Sequence, residues 1–162
     1  MSYYRGTAVT QAVVLRLALI RLSNGYRTDV GKDVRVATLR GTPTDVPCTY
    51  LLPTNEASAK QYGVGQREKT YKITCVANRR ETAVSGYTEN PTAEWVIVDA
   101  IIADVCEALE SAGAFSSSLV EQVTYEGASP AYHEEGGELT GVSLTYSIRF
   151  AIAKGDPDNS PS

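Results

Sequence analysis

Residues 141–153 alternate along their whole length: Val142, Leu144, Tyr146, Ile148 and Phe150 are separated by Ser143, Thr145, Ser147 and Arg149. A period of two marks a strand with one apolar and one polar face. Residues 69–77 repeat the pattern, with Tyr71, Ile73 and Cys75 on one side and Thr70, Lys72 and Thr74 on the other. A sheet built from such strands has to bury one face, and the sequence offers two segments of helical period to cover it.

The first helical segment is 7–22. Val9, Ala12, Val13, Leu15, Leu17, Ala18, Leu19, Ile20 and Leu22 include an i, i+3, i+4 stripe, while Gln11, Arg16 and Arg21 supply a polar side. Thr7 is the expected N-cap, and Asn24-Gly25 the left-handed closure. In the second, Asn90-Pro91 has the cap-then-proline form of a helix start, with Glu94 in the first turn. Trp95, Val98, Ile101, Ile102, Val105, Cys106 and Leu109 follow at helical spacing. Asp99, Asp104, Glu107 and Glu110 are expected on its wet face, and Gly113 at its end.

Further strands are expected at 34–39, at 48–52 where Pro53 would stop the chain, and at 119–125. Residues 54–66 and 127–139 are expected as loops, and residues 155–162 as a mobile tail unable to pack a core. The order helix, strands, helix, two strands predicts an α+β fold: a mostly antiparallel β-sheet flanked by two main α-helices. The length of 162 residues fits one domain over residues 1–154 with a flexible tail.

Composition narrows the function. The formal charge is −4 at pH 7, which argues against tight wrapping of nucleic acid. Cys48, Cys75 and Cys106 are widely spaced and form no CxxC, so zinc or redox chemistry has no support; Cys75 and Cys106 are expected as small buried hydrophobes. The start of the chain lacks the layout of a secretory signal, and the apolar stretch 12–20 is too short to span a bilayer, so folding in a reducing cytoplasm without a membrane is expected.

No residue pattern supplies catalysis, a cofactor site or a metal site. His133, the single histidine, stands beside Glu134 and Glu135 in a glycine-bearing loop with no nearby nucleophile or second imidazole. The run Gly63-Val64-Gly65-Gln66-Arg67 lacks the Lys-Ser/Thr pair of a phosphate loop, and a strand follows it where a helix is needed. Ten tyrosines against two phenylalanines fit either contact surfaces or tyrosines that simply cover strand edges. The candidate interface residues are Tyr62, Arg67, Tyr87, Tyr132, His133, Glu134 and Glu135. Tyr3 and Tyr4 also fall in the terminal segment.

The layout resembles the tail terminator proteins of long-tailed bacteriophages, also called tail completion or minor tail proteins. The resemblance spans nearly the whole chain. It is carried by the first helix leading into Asn24-Gly25-Tyr26-Arg27-Thr28-Asp29-Val30-Gly31, by the strand Thr70-Tyr71-Lys72-Ile73-Thr74, by the helix over residues 95–105, and by the closing strand with Gly155-Asp156-Pro157. It implies a structural virion protein, not an enzyme, that assembles in the host cytoplasm. The implied form is a homo-oligomeric ring, normally a hexamer, at the head-proximal end of the tail tube. Such a ring stops tube polymerisation, contacts the tail tube protein and the head-completion (stopper) protein, and lets DNA pass through its lumen without specific binding. Other neck or tail-tube proteins share the layout. An enzyme with a dispersed site and a cytosolic small-ligand-binding module are the rival classes.

Overall fold

A computed structural model of the chain describes residues 4–43, 45–58, 65–82, 84–87, 89, 93–131 and 137–152. Among them, helix α1 (Arg5–Ala18) is followed by strands β1 (Val34–Val36), β2 (Cys48–Ser58) and β3 (Gln66–Asn78). Helix α2 (Glu94–Glu110) and strands β4 (Gln122–Ala131) and β5 (Leu139–Ala151) complete the order. The described strands form one five-stranded sheet in the order β1-β2-β3-β5-β4. Only the short β1–β2 pair is parallel; β2–β3, β3–β5 and β4–β5 are antiparallel. The fold is therefore α+β with a mostly antiparallel sheet and two main helices, as the periodicities predict.

The alternation places the core. Tyr71, Ile73 and Cys75 of β3 lie opposite Tyr146, Leu144 and Val142 of β5, and all six are buried. Val9, Val13 and Leu17 of α1 and Ile97, Ile101, Val105 and Leu109 of α2 close over this face. Each fully buried Leu or Ile side chain contributes about 1.5–3 kcal/mol of burial free energy. Two tyrosines are among the largest core residues, and each finds a partner for its hydroxyl. Tyr71 lies 2.8 Å from Thr10 Oγ1. Tyr146 donates to Glu110 Oε2 at 3.0 Å and lies 3.1 Å from Cys106 Sγ. Part of the tyrosine surplus thus belongs to the core and not to the surface.

Several boundaries differ from expectation. Helix α1 starts after Tyr4, not Thr7, with no side-chain cap, and ends at Ala18. Asn24-Gly25 closes a separate 3-10 turn, Leu22–Asn24, where Gly25 sits at φ 85° and its N–H bonds Leu22 O. The chain leaves α1 early because Ile20 is drawn into the core and its carbonyl accepts from the Gly31 N–H at 2.9 Å. A Cβ on Gly31 would collide with the backbone of Leu17 and Ile20, so this approach requires glycine. Strand β1 stops at Val36, short of residue 39.

Pro53 does not end β2. It pairs opposite Tyr71, and a register shift between Pro53 and Asn55 lets the strand resume to Ser58. Residues 54–58 and 66 of the expected loop 54–66 are thus strand, and so is 127–131 of the loop expected at 127–139. The expected strand at 119–125 begins only at Gln122. Ala93 is the N-cap of α2, while Asn90 and Pro91 lie outside the described residues, as does the tail 155–162. Helix α2 ends at Glu110, and Gly113 (φ 76°) falls in the turn beyond it.

The largest correction concerns Asp104, expected on the wet face and in fact fully buried. Its Oδ1 accepts from the Arg27 backbone N–H at 3.0 Å and from Arg27 Nη1 at 3.2 Å. Its Oδ2 accepts from the Thr28 N–H at 2.8 Å and the Thr28 hydroxyl at 2.7 Å. Four donors, one of them charged, satisfy the carboxylate and tie α2 to the segment that follows α1. The hydrogen bonds to Glu107 and Asp104 raise the affinity of the Arg27 guanidinium for its proton.

Candidate functional site

Carboxylates offer no free acid–base pair on α2. Asp104 is consumed by Arg27 and Thr28, Glu107 is exposed and pairs with Arg27 at 3.0 Å, and Asp99 is exposed. Among the described residues, no group of three His, Cys, Asp or Glu side chains is placed to hold a metal. Burial pushes the Cys48 thiol up to about 11 and the Cys75 thiol up to about 12, which makes both poor nucleophiles. Cys106, expected to be buried, is half-buried. No described helix is long and apolar enough to cross a membrane.

Two surfaces remain. The first is the sheet face opposite the helices, where the polar residues of the alternation gather. Thr70, Lys72 and Thr74 of β3 lie beside Ser147, Thr145 and Ser143 of β5. Thr74 and Ser143 share a 2.9 Å hydroxyl contact, and Thr70 and Ser147 one of 3.4 Å. Arg149 is spanned by Glu68 at 3.9 Å and donates to Gln122 at 2.7 Å. Ala37, Thr38 and Leu39 border this face next to Tyr50 and Leu52. It is a hydroxyl-rich wall whose few charges are largely paired.

The second is an aromatic notch on the outside of α2. Tyr87 and Trp95 meet edge to face, with ring centroids 5.9 Å apart, and Val84, Ala100 and Ala103 line the rest. Trp95, expected within the apolar stripe, is 59% exposed: it shares the outward side of α2 with Asp99, while Val96 and Ile97 of the same turn enter the core. Tyr125 of β4, 5.4 Å from Tyr146 between ring centroids, is exposed too.

Of the expected interface residues, Tyr62, Tyr132, His133, Glu134 and Glu135 lie outside the described residues. Arg67 lies on β3 near Tyr4, Glu56 and Phe150, and Tyr87 lies in the notch; they do not share a surface. Sequence reasoning missed the exposed Leu15, Leu19, Leu22, Trp95 and Tyr125. Leu15, Leu19 and Leu22 could have been found on a helical wheel, where they fall opposite Val13 and Leu17.

No family model matches the sequence, and no curated protein does. In fold the chain is similar to a chain of the virion of a native gene transfer agent (GTA) particle, with a TM-score of 0.57 and 18% identity over 93% of this chain and 99% of that one.

Proposed function

We propose that the chain is a structural subunit of a phage-type particle, in which it acts as a tail terminator. The observation that carries this reading is the likeness in fold to a virion chain over nearly the full length of both partners. The tail-terminator layout of the sequence supports the finer assignment. In this reading several copies, normally six, form a ring on the head-proximal end of the tail tube. The ring ends tube growth and offers its other rim to the head-completion protein.

The bare sheet face suits the wall of such a ring. A channel for DNA should neither hold the phosphates nor repel them strongly, and hydroxyls between paired charges meet that need. Lys72 and the Glu68–Arg149 pair leave the face close to neutral. The segments 54–66 and 127–139, expected from the sequence as loops, are the ones we assign to axial contacts.

The test is removal of the gene from cells that make the particle. Tails of unregulated length, unjoined to filled heads, are the expected result, with the tagged protein at one end of complete tails. Normal particles, or label along the whole tube, would overturn the terminator role.

A further inference from the structure

Charge is sorted along this chain. Thirteen of its fifteen Lys and Arg residues lie within residues 1–80, and fourteen of its nineteen Asp and Glu residues lie after residue 80. No carboxylate side chain precedes Asp29, and no Lys or Arg falls between Arg80 and Arg149. The sheet order turns this sequence polarity into a spatial one. Strands β1, β2 and β3 with α1 make one flank, and β5 and β4 with α2 make the other.

On the first flank Arg35 of β1 is held by Asp33 and Asp45 and Lys32 by Asp29, but other outer charges are not consumed within the subunit. On the first flank Arg21, just past α1, and Arg40, just past β1, are exposed and form no ion pair among the described residues. On the second, Asp99 of α2, Glu121 just before β4 and Glu126 of β4 are exposed and equally free of ion pairs among the described residues. Each flank also exposes apolar side chains: Leu15, Leu19 and Val36 on the first, Trp95 and Tyr125 on the second. Strand addition at β4 is disfavoured, because a bulge between Tyr125 and Gly127 and the proline at 130 interrupt its free edge. The contact has to be made by side chains.

We propose that the partner of these two flanks is a second copy of this chain, docked head to tail: the cationic α1/β1 flank of one copy lies against the acidic α2/β4 flank of the next. The two surfaces are different and complementary in charge, and each carries an apolar centre, as a heterologous contact requires. The inference deepens the ring reading and rests on it for the closing of such contacts into a ring.

Two variants test it: Arg21→Glu with Arg40→Glu, which sets carboxylates against the acidic flank of the next copy, and Glu121→Lys with Glu126→Lys, which sets cations against Arg21 and Arg40 of its neighbour. Self-association is measured by sedimentation at low salt, with circular dichroism to show that each variant is folded. The wild type is expected to associate, each variant to associate about tenfold more weakly, and a 1:1 mixture of the two to recover. Wild-type association that neither variant weakens, or that mixing fails to restore, overturns the proposed contact while leaving a ring possible by another surface. Recovery on mixing into open chains, with no closed species, keeps the contact and overturns the ring. A wild type that stays monomeric at high concentration, its flanks then serving a different protein, overturns both.

Discussion

Asp104 and Arg35 each sit at the centre of a carboxylate–guanidinium cluster, in opposite surroundings. Asp104 is fully buried and takes four hydrogen bonds from Arg27 and Thr28. Arg35 is held at 2.7 Å by Asp33 and at 3.1 Å by Asp45, with its side chain 46% exposed and open to solvent and salt. Both guanidiniums bind their protons more tightly than usual, Arg27 through Glu107 and then Asp104, Arg35 through Asp33 and then Asp45. The consequences for folding differ, because water competes for every contact of Arg35 and for few of those at Asp104.

The sharpest way to break the comparison is Asp104→Ala. It strands the buried Thr28 N–H and frees the segment after α1, so a loss of about 3–5 kcal/mol is expected. In thermal unfolding that corresponds to a midpoint lower by roughly 6–20 °C for a chain of this size. Asp104→Asn should fall between, since its amide turns a donor toward groups that are themselves donors. A midpoint unchanged in Asp104→Ala would show that the cluster is ornamental despite its burial.

Cys75 tests burial as the deciding variable with a different group. Its thiol is buried, accepts from the Thr49 hydroxyl at 3.4 Å, and is pushed up from 9.0 to about 12, chiefly by burial. Between these values the unfolded chain has lost the proton and the folded chain has kept it. The unfolded state then binds fewer protons, and stability falls as pH rises. The contribution is fully present below pH 9 and declines by about 1.4 kcal/mol per unit toward pH 12. Denaturant titrations at pH 8 to 11 should show this slope in the wild type and lose its share in Cys75→Ala. Next in size, Thr28→Val removes one of the two bonds to Asp104 Oδ2 and should cost about 1–2 kcal/mol in the same assay.

The alternating strands were legible because a period of two states directly which residues are buried; β3 runs three residues earlier and one later than expected, and β5 starts and ends two residues early. Asp104 was harder. Its charge places it with Asp99 and Glu107, yet its spacing of four from Ala100 and Ala108 places it on the buried stripe, and its partners lie 76 and 77 residues away. A local pattern cannot report a partner at that distance. Pro53 misled for a related reason: a break in strand hydrogen bonding was taken for an end, when a register shift absorbs it. The candidate surfaces were legible only as composition. Tyrosine counts did not separate Tyr71 and Tyr146, which are core, from Tyr87 and Tyr125. The sorting of charge was in the sequence throughout, but it became a surface property only once the order β1-β2-β3-β5-β4 had set the two halves side by side.

The smallest expected effect completes the contrast. Arg35→Ala removes both ion pairs and the guanidinium 6.0 Å above the Tyr50 ring. Exposed pairs of this kind lose most of their Coulomb gain to solvation and to the entropy of holding long side chains. The thermal midpoint should therefore move by no more than about 2 °C at physiological salt, and the difference should vanish as salt is raised, because the cluster lies within reach of counterions. The deficit of Asp104→Ala should persist at the same salt, since no ion can replace a donor-saturated carboxylate inside the core. A loss in Arg35→Ala comparable to that in Asp104→Ala would mean that the Asp33–Arg35–Asp45 cluster anchors β1 to the residues before β2, and that exposure is a poor guide to the worth of a charge in this fold.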